Sequence, residues 1–150
     1  MINYIKGDLF EFEGDIIIHG CNCYKVMGAG IAKEIHQKYP GAYAADLNYG
    51  EYGDDSKLGT YSKWRGQHYF NHKINITVLN LYSQVYPNPK LNPFRYDAFE
   101  IGLVKILNDF PVETIATPKI GSGLAGGNWE KIEELINKVS GNRIINVYYL

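Results

Sequence analysis

The chain has 150 residues, with 15 Lys+Arg against 16 Asp+Glu and a formal net charge of −1, so it lacks the basic excess of proteins that hold nucleic acid by bulk electrostatics. Hydrophobic residues make up 45% and charged residues 21%; that is an ordinary soluble composition, and no apolar run approaches the ~20 residues of a membrane span. One domain over residues 1–150 is expected, long enough to bury roughly 70% of its unfolded surface. The polar start, Met1 to Asp8, does not read as a signal peptide, and Cys21 and Cys23 stand too close to staple a fold. A monomer in the cytoplasm, or the nucleus if the source is eukaryotic, is therefore expected.

In chain order, Ile2 to Ile5 reads as a first strand and Asp15 to Asn22 as a second. The run Ile16-Ile17-Ile18 suits a strand covered on both faces. Gly28-Ala29-Gly30 opens a helix with Ile31, Ile35 and Tyr39 at helical spacing, and Pro40-Gly41 stops or bends it. Strands are expected over Leu58 to Trp64, Gln67 to Asn71 and Ile74 to Tyr82, with His36, His68 and His72 on the surface. Asn92 is placed as an N-cap with Pro93 at the first helical position, and the helix beyond buries Phe99, Leu103, Ile106 or Leu107, and Phe110. A strand before Gly121, a helix with Trp129, Ile132, Leu135, Ile136 and Val139 on one face, and a strand from Arg143 to Tyr149 complete the chain. This order predicts an α/β fold: a mixed, mostly parallel sheet of about six strands with helices on both faces.

Two loops follow strand ends in this scheme, and ligands in such sheets gather at carboxyl ends. Gly121-Ser122-Gly123-Leu124-Ala125-Gly126-Gly127 has four glycines, whose backbone can approach a phosphate, and the next helix is expected to offer unpaired N–H groups. The loop matches G-x-G-x-x-G, but a dinucleotide fingerprint belongs in the first βα unit and this is the last. No Lys-Ser/Thr follows the glycines, which excludes a Walker A loop. Gly28-Ala29-Gly30 is the second glycine loop; a pyrophosphate between two helix N-termini fits the pair.

Chemistry concentrates in His19-Gly20-Cys21-Asn22-Cys23. At the end of a buried strand, His19 could move a proton near neutral pH or be a satisfied structural histidine. His19-x-Cys21-x-Cys23 could place three metal ligands on one strand face, but no clear fourth ligand is nearby, and no metal or cofactor is expected. A thiol nucleophile at Cys21 or Cys23 lacks an activating partner other than His19.

Gly7-Asp8-Leu9, the strand ending in Asn22, Gly28-Ala29-Gly30-Ile31, Lys57-Leu58-Gly59-Thr60 and Pro118-Lys119-Ile120-Gly121-Ser122-Gly123 occur in that order. Together they resemble the macro domain family of ADP-ribose-binding modules across essentially the whole chain. His-Gly-Cys-Asn-Cys, Asn80-Leu81-Tyr82-Ser83-Gln84, Gly-Asn-Trp-Glu-Lys and Val147-Tyr148 look most like its ADP-ribose 1″-phosphate phosphatase branch.

The resemblance implies a partner, ADP-ribose or ADP-ribose 1″-phosphate, and a hydrolase that releases phosphate. Alternatives are removal of ADP-ribose from protein or nucleic acid, or a non-catalytic reader. It places Asp8 and Leu9 at the adenine, although Asp8 also reads as the N-cap of a turn starting at Leu9. Asn22 falls at the distal ribose, and Gly28, Ala29, Gly30 and Ile31 at the ribose and diphosphate. Gly121, Ser122, Gly123, Leu124 and Ala125 fall around the phosphates, and Tyr148 beside the adenine or proximal ribose. His19 with Asn22 is the expected catalytic pair, and Lys25 either approaches the terminal phosphate or is a solvated loop lysine. Family members that use a lysine nucleophile and a loop aspartate would need a Lys near Tyr82-Ser83-Gln84 and an Asp near Ala125, and this sequence has neither.

Overall fold

A strand apolar on both faces needs a layer on each side, and Ile16, Ile17 and Ile18 find theirs in the middle of a six-stranded sheet. The computed structural model describes residues 1–150 except Pro89, Asn92, Pro93 and Leu124. Along the chain run β1 (Ile2–Lys6), β2 (Ile16–Asn22), α1 (Gly30–Lys38), α2 (Pro40–Leu47), β3 (Tyr61–Gln67), β4 (Asn75–Gln84), α3 (Tyr96–Asp109), β5 (Ile115–Pro118), α4 (Trp129–Ser140) and β6 (Ile145–Tyr149). The sheet order is β1-β6-β5-β2-β4-β3. Every neighbouring pair is parallel except β3 with β4.

Strand alternation divides the core in two. Ile16 and Ile18 of β2 and Leu79 and Leu81 of β4 pack with Phe99, Leu103 and Ile106 of α3 and Ile132 and Ile136 of α4. Ile17, Cys21, Val78 and Tyr82 face the other way, against Ile35 of α1, Ala42 of α2 and the 3-10 turn Leu9–Glu11. Each fully buried Ile or Leu contributes about 1.5–3 kcal/mol of transfer free energy, so this alternation fixes the register of the central strands. Helices on both faces of a mostly parallel sheet are the expected architecture.

Three local expectations change. No separate strand runs from Gln67 to Asn71: Gln67 is the last residue of β3, residues 68–71 form no strand, and His68 turns the chain. Nor is His68 on the surface: it is fully buried, with Nε2 paired to Phe12 O at 3.0 Å and Nδ1 accepting from Phe70 N and Asn71 N. Of the two expected effects of Pro40-Gly41 the structure shows a stop: α1 ends at Lys38, Tyr39 leaves the helical region with φ −131° and ψ 70°, and Pro40 opens α2, where at the first position proline loses no helical hydrogen bond. Finally, α3 starts at Tyr96 with Arg95 at its N-cap; Asn92 and Pro93, expected there, lie outside the described residues.

This topology has one switch point. The chain leaves β2 for α1 and α2 on one face and leaves β5 for α4 on the other. A crevice therefore opens between the carboxyl ends of β2 and β5.

Candidate functional site

That crevice is a cavity of about 770 Å³. Its walls are the two glycine loops, 28–30 and 121–123, with His19 to Asn22 of β2, Ser83 and Gln84 of β4 and Tyr148 of β6 also in the lining. Of the expected site residues, Asn22, Gly28, Ala29, Gly30, Ile31, Gly121, Ser122, Gly123, Ala125 and Tyr148 meet here, and His19 contributes to the lining. Asp8 and Leu9 lie outside it, and Leu124 lies outside the described residues.

The second loop is shaped by backbone contacts. Gly127 N donates to Gly121 O at 2.6 Å, Gly126 N to Gly123 O at 3.1 Å and Ser122 N to Lys119 O at 3.3 Å. The amides of Gly121 and Gly123 make no protein hydrogen bond among the described residues, and open space surrounds Gly123 where a Cβ would stand. An acceptor such as a phosphate oxygen can approach such amides closely.

The two helix N-termini differ. Ala29 is the N-cap of α1 and offers no side-chain cap, and Gly28 to Ala32 line the cavity, so this terminus presents its orphan N–H groups and dipole to a ligand. At α4, Asn128 caps the first turn by accepting from Glu130 N at 2.9 Å, and the helix is absent from the lining. The expectation of open N–H groups at the helix after the second loop is thus corrected: the loop, not α4, faces the cavity.

Asn22 is committed locally. Its Oδ1 accepts from Tyr24 N at 2.9 Å and its Nδ2 donates to Val26 O at 3.0 Å, folding the segment that leads into Gly28. Asp8 caps the 3-10 turn, its Oδ1 accepting from Phe10 N at 2.9 Å. It follows β1, whose Lys6 pairs with Tyr149, so it lies along the same carboxyl edge. Tyr148 rests edge-on against Phe12 at 6.2 Å while also lining the cavity, and burial raises its phenol pKa. Lys25 donates to Leu47 O at 2.7 Å and Gly50 O at 2.8 Å. Both bonds lie at the surface, and Lys25 is absent from the cavity lining.

His19 is 1% exposed and faces a polar network on the α1/α2 side of the sheet. Asn80 donates from Nδ2 to Ala42 O at 3.0 Å and to Ser62 Oγ at 2.9 Å. Its Oδ1 is left to accept, so the proton at the 2.6 Å contact belongs to His19 Nε2. Burial lowers the His19 pKa to about 4, partly opposed by the Asn80 bond, and the ring is neutral at pH 7. Cys21 Sγ lies 3.6 Å from Nε2, and burial pushes its thiol well above its ordinary range. Burial likewise raises Cys23, to about 11, so neither is a ready thiolate. Among the described residues no three His, Cys, Asp or Glu side chains are grouped to hold a metal.

Two lining residues carry no role in the sequence reading. Ser83 is buried, and its hydroxyl has no partner among the described residues. Lys119 bears the one charged side chain among the described lining residues. It also reaches a second hollow beside Tyr4, Trp129, Glu133 and Tyr149, with Nζ 5.6 Å from the Tyr149 ring centre, 5.9 Å from Trp129 and 6.0 Å from Tyr4. The Pro-Lys-Ile-Gly spacing would have flagged Lys119 as adjacent to the loop; its aromatic partners are brought there by β1, β6 and α4.

A family model described as Macro domain matches residues 18–136. The chain is 37% identical over 147 residues to an uncharacterized 17.5 kDa protein in the tk-vs intergenic region of Enterobacteria phage T4, covering 93% of this chain and 90% of that one. It is 30% identical over 162 residues to an ADP-ribose 1″-phosphate phosphatase of Lodderomyces elongisporus, covering 99% and 98%. To a DNA ADP-ribosyl glycohydrolase of Mycobacterium bovis it is 27% identical, covering 89% of this chain but 37% of that protein. A crystal structure of a Bacteroides thetaiotaomicron protein superposes with a TM-score of 0.82 at 26% identity, covering 100% of both chains.

Proposed function

Because the chain belongs to the macro domain family, we propose that its cavity binds ADP-ribose 1″-phosphate and that the protein hydrolyses it to ADP-ribose and inorganic phosphate. The observation that carries this reading is the crevice between β2 and β5, where loop amides and the uncapped start of α1 converge on about 770 Å³. These groups are donors, and a phosphorylated ligand offers acceptors. Similarity to a phosphatase at 30% identity over nearly the full chain supports the choice of substrate.

In the reaction, a water oxygen attacks phosphorus, the bond from phosphorus to the 1″-oxygen breaks, and the proton that the water gives up passes to that oxygen as it leaves. Charge that develops on the phosphoryl oxygens is met by the preorganised amides of Gly121 and Gly123. Lys119 adds a positive charge at the rim. Asn22 holds the first loop in the shape that presents Ala29 to Ile31 to the diphosphate. A neutral, buried His19 acts in this scheme as a positioning residue, fixing the end of β2 against Asn80 of β4. Asp8, with one carboxylate oxygen on Phe10 N, retains acceptor capacity for the adenine amino group.

Similarity to a DNA ADP-ribosyl glycohydrolase favours a second reading, removal of ADP-ribose from a nucleic acid. Gln84 and Ala125 line the cavity at the places where a lysine–aspartate chemistry needs its nucleophile and its acid, which favours the phosphatase. Purified protein should release phosphate from ADP-ribose 1″-phosphate above a heat-inactivated control and leave ADP-ribosylated DNA intact. The opposite pair of results selects the second reading. ADP-ribose binding with neither turnover identifies a reader.

A further inference from the structure

Ser83 stands out in the pairing of β2 with β4. Cys21 is opposite Tyr82 and Asn22 is opposite Gln84, so the register shifts there and Ser83 is the extra residue of a β-bulge. Bulges of this kind bend a strand end and re-aim a side chain, and they recur beside functional sites. Its backbone is held, because Ser83 O accepts from Arg95 N at 2.7 Å. Its hydroxyl is not: Ser83 is 1% exposed, and Oγ has no hydrogen-bond partner among the described residues. Leaving a buried hydroxyl unpaired costs stability.

The orphan lines the ligand cavity. Above it lies Gly20, where a Cβ would come within 3.0 Å of Ser83 Oγ and 3.1 Å of Ile120 Cγ2. The missing side chain at Gly20 keeps the approach to the hydroxyl open. Around it, the loop groups offer donors to whatever binds. We propose that the Ser83 hydroxyl is a ligand-binding group, donating a hydrogen bond to a phosphate oxygen of the nucleotide seated over Gly20. This assignment rests on the reading that the cavity holds ADP-ribose and adds a side-chain contact from β4 to the backbone contacts of the two glycine loops.

The test is Ser83→Ala, read by thermal unfolding of the free protein and by calorimetric titration with ADP-ribose. Removing an unpaired hydroxyl should leave the melting temperature at or above that of wild type, while ADP-ribose affinity falls about tenfold. A lower melting temperature in the free variant would mean that the hydroxyl is satisfied within the fold, and overturns the proposal. So does unchanged affinity beside a wild type that binds, an outcome that leaves the functional reading standing. A wild type that fails to bind ADP-ribose overturns both.

Discussion

The Phe94 ring fills the space that a side chain on Gly121 would need: a Cβ there would lie 2.6 Å from Phe94 Cδ2, and Gly121 has φ +76°. Phe94 N also donates to Ala125 O at 2.9 Å, so one aromatic residue ahead of α3 pins both limbs of the second glycine loop. Gly121→Ala meets a left-handed backbone and a packed ring together. The variant should lose about 2–3 kcal/mol of stability, measurable by urea unfolding, whereas Gly123→Ala, in open space, should unfold like wild type.

Gly123→Glu tests the cradle itself. Nothing lies within 4 Å of a Cβ at this position, so the fold should tolerate the change. The added carboxylate would repel a phosphate at the loop amides. ADP-ribose affinity should fall at least tenfold, about 1.4 kcal/mol, by calorimetry on a variant whose melting temperature is unchanged; near-normal affinity would mean that phosphate sits elsewhere.

His19 predicts a pH dependence. Its pKa is about 4 in the fold against 6.5 for the ordinary side chain, through burial. The unfolded chain therefore binds more protons between these values, and stability is retained above pH 6.5 and lost as the pH falls toward 4. The full loss is about 3 kcal/mol. Urea unfolding of His19→Gln should give a flatter profile across this window. Asp46, whose pKa is raised by burial, contributes with the opposite sign and is common to both proteins. A profile unchanged by the substitution would remove His19 as its source.

Lys119→Met keeps a flexible chain against Tyr4, Trp129 and Tyr149 but removes the charge at the rim. ADP-ribose affinity should fall about fivefold, near 1 kcal/mol for a largely exposed contact, and vary less with salt than in wild type. An unchanged salt dependence would place Lys119 away from the phosphates.

Much of the site was legible from the sequence because its signals are local. Gly28-Ala29-Gly30 and Gly121-Ser122-Gly123 announce close backbone approach, and each follows a strand end in the correct order. The four-residue misreading at 68–71 has a local cause as well, since His-Tyr-Phe-Asn carries aromatic strand propensity while His68 accepts two turn amides.

The layering follows from the sequence alone, because three consecutive isoleucines on one strand need a covering layer on each face, and glycines at strand ends leave backbone exposed to a ligand. The tertiary structure decided what the side chains do. His19 finds Asn80 across 61 residues of chain, and that partner, with the burial around it, sets its proton. Which helix start meets the cavity is set after the chain leaves β2 and β5 to opposite faces of the sheet, since α4 closes its own first turn with Asn128 while α1 leaves its start open. The second glycine loop reads in sequence as backbone open to close approach; only packing against Phe94 gives it its shape, and only the pairing of β2 with β4 produces the bulge at Ser83.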